Sequence, residues 1–170
     1  MKNAVKPILL IITFIINFNI YGQNTKPNLI ETQNWIKNTI TSYPHNEQGF
    51  THNYSITYSD NKLIYKEVFT YMLNGEIKTL KSTVKINIVD IENIIISKNT
   101  SCVWLIIRVK ENKQIERIDE ENNSHSYPIE TEIILNSSFL EKNLPERIKK
   151  AFARLIEING GNPTFIEEKF

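Results

Sequence analysis

One cysteine, Cys102, stands in 170 residues, which excludes an intramolecular disulfide framework and any multi-cysteine zinc site. Glycine is scarce as well. Five residues leave no GxGxxG, no phosphate loop and no GxSxG, so a nucleotide cradle or a nucleophile elbow has nothing to be built from. An excess of one charge is also missing. Twenty Lys+Arg face nineteen Asp+Glu, which excludes a strongly basic nucleic-acid binder and an acidic solvating tail. The three histidines, His45, His52 and His125, include no HExxH and no HxH pair, and they read as solvated loop or strand-start side chains. Catalytic residues, a bound metal and a cofactor are therefore not expected.

What is present begins with a three-zone N-terminus. Lys2 and Lys6 precede an apolar run from Ile8 to Ile16, Asn17 and Asn19 thin it out, and Gly22 offers a small residue before Gln23. This is the pattern of a secretory signal peptide over 1–22, cut after Gly22. As a helix, Ile8 to Ile20 would reach ~20 Å, short of the ~30 Å hydrocarbon layer, so no stable membrane span is expected after cleavage. No cysteine lies near the cut for lipid attachment. Without Lys2 and Lys6 the balance is eighteen basic to nineteen acidic residues, a net charge of −1. The 29 Ile and 21 Asn fit the codon usage of an AT-rich bacterial genome, so the expected location is the periplasm or the outside of a Gram-negative cell.

Residues 23–170 then read as a single α+β domain. Trp35, Ile36, Thr39, Ile40 and Tyr43 recur at helical spacing, giving a helix over about 29–43 that Asn28 or Thr32 caps and Pro44 stops. From His52 to Leu135 the period is two. The alternation predicts about seven strands over 52–135, with a type I′ hairpin at Asn74-Gly75. Val103 to Val109 is apolar on both faces up to Ile107 and should be a covered central strand. The charged segment 115–118 should be an edge. Asp119 to His125 is an oxygen-rich run without the glycine of a calcium loop, and reads as a solvated hairpin turn. A long helix over about 143–159 follows, opened by an Asn143/Glu146 capping box, striped by Ile148, Ala151, Phe152, Leu155 and Ile156, and ended by Gly160-Gly161.

Helix, about seven antiparallel strands and a long C-terminal helix is similar to the order of elements in pleckstrin-homology-like barrels. The resemblance implies a curved antiparallel sheet or partly open barrel, packed by both helices. Locally, Arg147 to Ile156 followed by Gly160-Gly161, with Glu31 to Ile36 in the first helix, resembles small exported bacterial proteins of unknown function.

The candidate binding residues are Tyr65, Phe69, Tyr71 and Glu67. The three aromatics share parity on one strand, beside Tyr54 and Tyr58 on its neighbour, with Glu67 in the same row. Such a row either stabilises the sheet through cross-strand pairs or offers a shallow surface to a peptide, sugar or lipid chain. The preferred expectation is a non-catalytic binding or interaction module of the bacterial cell envelope, with an envelope protein or a small apolar ligand as partner. A carrier of a small lipid-like ligand and an enzyme with an unrecognised site are the alternatives. Nucleic acid is not expected as a partner.

Overall fold

The computed structural model describes residues 26–47 and 49–164, so the export signal expected over 1–22 lies outside the described residues. Helix α1 (Leu29–Thr41) starts on a full capping box. The Asn28 side chain accepts from the Glu31 amide at 2.9 Å, and Glu31 accepts from the Asn28 amide at 3.0 Å. Two otherwise orphaned backbone donors are satisfied this way. Thr32, Ile36, Thr39 and Ile40 are buried. The helix stops two residues short of the expected end because the residue before a proline disfavours helical geometry.

Among the described residues nine strands follow, two more than the alternation predicts. They are β1 (His45–Glu47), β2 (Phe50–Ser59), β3 (Lys62–Leu73), β4 (Glu76–Asn87), β5 (Ile91–Lys98), β6 (Cys102–Val109), β7 (Glu116–Asp119), β8 (Ser124–Ser126) and β9 (Glu130–Asn136). The two extra strands, β1 and β8, have three residues each, too few to show a period. The β2–β3 and β3–β4 hairpins turn on Asp60-Asn61 and Asn74-Gly75, all four at positive φ, as type I′ turns require.

The strands form a six-stranded sheet in the order β1-β2-β3-β4-β7-β8 and a three-stranded sheet in the order β5-β6-β9. Every pairing is antiparallel. One bridge, Pro44 to Leu135, joins them. The strands do not close into a barrel. β7 is not an edge, since β8 pairs along its outer side. β6 is central as expected. Its Val103, Leu105, Ile107 and Val109 are core, while Trp104 and Ile106 on the other face are only half-buried.

Helix α2 (Leu144–Ile158) packs on α1 and β5, and α1 packs on β2. Its buried stripe is Leu144, Ile148, Phe152, Leu155 and Ile156. The expected Asn143/Glu146 box is not formed. Lys142 and Asn143 both adopt left-handed backbone, which carries the Asn143 side chain away from the first-turn amides, and it makes no capping bond. The other end matches expectation as a Schellman motif. Gly160, at φ 83°, donates to Glu157 O at 3.0 Å and Gly161 donates to Ile156 O at 2.9 Å. A Cβ on Gly161 would lie 2.6 Å from Ile156 Cγ2 and 3.2 Å from the Val89 backbone. Gly161→Ala is expected to lose ~1–3 kcal/mol through this overpacking, read as a lower midpoint in urea denaturation.

Tyr58 on β2 carries a second local test. Its hydroxyl is buried with no hydrogen-bond partner, and burial pushes its pKa well above the ordinary tyrosine value. An unsatisfied buried hydroxyl costs ~1–3 kcal/mol. Tyr58→Phe is therefore expected to raise the melting temperature, and a fall on calorimetry would contradict the assignment.

Candidate functional site

Register and alternation along β2 and β3 decide which side chains meet. Phe50, His52 and Tyr54 lie opposite Tyr71, Phe69 and Glu67 respectively, and this row lines the inner face of the six-stranded sheet. The free side of β9 crosses that face. The Ile134 amide donates to Tyr54 Oη at 2.8 Å, and the Tyr65 and Thr131 hydroxyls hydrogen-bond to each other. Both tyrosines thus satisfy groups of β9, and burial pushes both their pKa values well above the ordinary range.

Glu67 sits at the centre, 8% exposed. Oε1 accepts from His52 Nδ1 at 2.9 Å and from Tyr54 Oη at 3.2 Å. Oε2 accepts from Arg117 Nη2 at 3.1 Å and, more weakly, from Ser82 Oγ at 3.4 Å. Burial pushes its pKa up, but the His52 hydrogen bond and the Arg117 charge outweigh that. The net displacement is downward from the usual glutamate value, so the carboxylate is ionised and acts only as an acceptor.

Above this network lies a cleft of about 300 Å³, lined by His52, Glu67, Phe69, Ser82, Arg117 and Ile134. Leu80, Lys81, Asp119 and Glu132 also line it. From the cleft an aromatic row runs outward. His52 stacks on Phe69 at 4.3 Å between ring centroids, Phe69 on Tyr71 at 5.2 Å, and Phe50 on Phe69 at 6.3 Å.

The four candidate residues therefore separate. Tyr65 is fully buried and belongs to the core, edge-on to Tyr54 at 6.1 Å. It offers no surface. Glu67 and Phe69 line the cleft, and Tyr71 lines the outer stretch with Phe50 and Met72. Sequence reasoning missed His52, Ser82 and Arg117 as members of the site, and placed Tyr54 only in the neighbouring aromatic row. His52 shares parity with Tyr54, which was a usable signal. Contrary to the expectation of solvated histidines, His52 and His45 are both buried, and His45 opens β1 rather than lying in a loop. Arg117 gave no local signal, because only the β4–β7 pairing brings it to Glu67.

Chemically, the arrangement gathers four donors on one ionised carboxylate. Both oxygens of Glu67 are engaged, and no histidine backs the Ser82 hydroxyl. Ser82 and Lys85 have the SxxK spacing, but three residues apart on a strand places them on opposite faces. Among the described residues no group of three or more His, Cys, Asp or Glu is placed to hold a metal ion. Cys102 is buried, and burial pushes its thiol pKa up, which makes the reactive thiolate rarer.

Fold and site together define an α+β protein of two open antiparallel sheets with an aromatic inner face. The chain matches no protein-family model, no curated protein and no solved structure. Among the described residues no helix is long and apolar enough to cross a membrane.

Proposed function

We propose that this chain is an exported, non-catalytic interaction module of the bacterial cell envelope, in the periplasm or outside the cell. Its partner is a segment of an envelope protein laid along the inner face of the β2–β3–β4 arm. One observation carries the reading: the aromatic row continues past the core. The half of β4 from Glu76 to Lys81 is exposed throughout, and among the described residues Phe69 and Tyr71 beside it are only half-buried. Phe50, Leu73 and Leu80 extend the apolar surface at 49%, 49% and 39% exposure. Contiguous apolar surface of this kind marks interaction sites. The row from Glu67 to Leu73 is ~20 Å long at ~3.3 Å per residue, which suits an extended segment. The engaged Glu67 carboxylate favours a holding role over acid–base work. Export rests on the residue pattern of 1–22.

The test is a photo-cross-linking side chain placed at Tyr71 or at Leu80 in intact cells, with Asn99 as the distant control. A discrete protein adduct from the first two positions, absent at Asn99 and lost on Phe69→Ala with unchanged melting, is the expected result. Identical patterns at all three positions would reject the proposal.

A further inference from the structure

A second concave surface lies between α1 and α2, and its chemistry differs. It encloses about 720 Å³, within the ~300–1,000 Å³ range of small-molecule sites. Pro27, Trp35 and Ala151 provide an apolar floor, and Lys26, Arg147, Lys150 and Arg154 surround it. Glu31 is the single carboxylate in the lining, and it is already held in the α1 capping box. Four cations less one carboxylate leave a local formal charge of +3, on a chain whose total is +1.

The cations are also unequally engaged. Arg154 reaches Glu157 at 3.4 Å and the Pro27 carbonyl at 3.3 Å. The Arg147 guanidinium lies 5.2 Å from the Trp35 ring centroid and, like Lys26 and Lys150, makes no ion pair among the described residues. An apolar floor under a focused positive rim suits a guest with an anionic head and a hydrocarbon body.

We propose that the α1–α2 groove binds a single-chain anionic amphiphile, its hydrocarbon chain on Trp35 and Ala151 and its head on Arg147 and Lys150. The site does not depend on the aromatic inner face. A recessed groove suits a single inserted chain better than a flat bilayer. An uncharged chain would leave the rim unused.

The probe is tetradecanoate, titrated below its micelle concentration into protein carrying Trp104→Phe, which leaves Trp35 as the only tryptophan. A saturable change in Trp35 emission, weakened by salt, is expected. Replacing Arg147 and Lys150 together by Gln should weaken binding by about tenfold or more, while Lys98→Gln should leave it unchanged. Circular dichroism confirms that each variant is folded. Equal binding of tetradecanol, or indifference to the paired Gln substitutions, would overturn the role of charge and with it the proposal. So would binding to phosphatidylglycerol vesicles without binding of the free carboxylate, or the absence of any saturable change in Trp35 emission.

Discussion

Phe152→Ala is expected to cost ~3–5 kcal/mol, the range for removing a buried phenylalanine from a packed core. Phe152 is fully buried at the middle of the α2 stripe, in one cluster with Ile36 and Ile40 of α1 and with residues of both sheets. Removing the ring takes away its transfer free energy and leaves a cavity that the surrounding core fills only in part. For a chain of this size the loss corresponds to a drop of roughly 6–20 °C in melting temperature. It is also a large share of the ~5–15 kcal/mol that holds a typical domain together. Thermal denaturation followed by circular dichroism measures it. A midpoint within error of the parent would mean that α2 does not pack as described.

Glu67→Ala is the second large effect. The substitution leaves His52 Nδ1, Tyr54 Oη, Ser82 Oγ and Arg117 Nη2 facing an empty site. Breaking a buried ion pair by removing one partner costs ~3–5 kcal/mol because the other charge stays behind. Here the Arg117 side chain is 39% exposed and regains some hydration, so ~3 kcal/mol is expected. The carboxylate also sets a pH dependence. Its folded-state pKa lies below the ordinary glutamate value of 4.5, so the folded chain binds that proton less readily than the unfolded chain. The resulting stability is fully present above about pH 4.5 and is lost as pH falls through the folded-state pKa. Urea denaturation from pH 7 to pH 3 should show this decline in the parent and a shallower one in Glu67→Gln. Parallel profiles would place the acid response elsewhere.

The candidate site was legible only in part. Parity along β3 put Tyr65, Glu67, Phe69 and Tyr71 on one face, and the structure keeps them there. Parity states which residues share a face, but not how far along the strand that face is covered. β9 crosses at Tyr54 and Tyr65 and ends the usefulness of Tyr65 as surface, whereas Phe69 and Tyr71 lie beyond the crossing. His52 differs from expectation too: β2 starts two residues earlier, at Phe50, so His52 lies inside the strand, paired to His45 of β1 and hydrogen-bonded to Glu67.

What the residues determined by themselves lies within a few positions along the chain. Examples are the α1 capping box of Asn28 and Glu31, the left-handed turn at Asn74-Gly75, the glycine stop after α2 and the buried stripe of that helix. The Asn143 cap failed because Asn143 itself, like Lys142 before it, adopts left-handed backbone rather than the extended geometry of a capping residue. The tertiary structure alone decided the meeting of Glu67 with Arg117, fifty residues apart. It also decided the open junction of two sheets at a single bridge and the groove between helices from opposite ends of the chain. Those features depend on which elements meet across long stretches of intervening chain. Local propensity carries no term for that, since the energy that selects them is burial shared among distant residues.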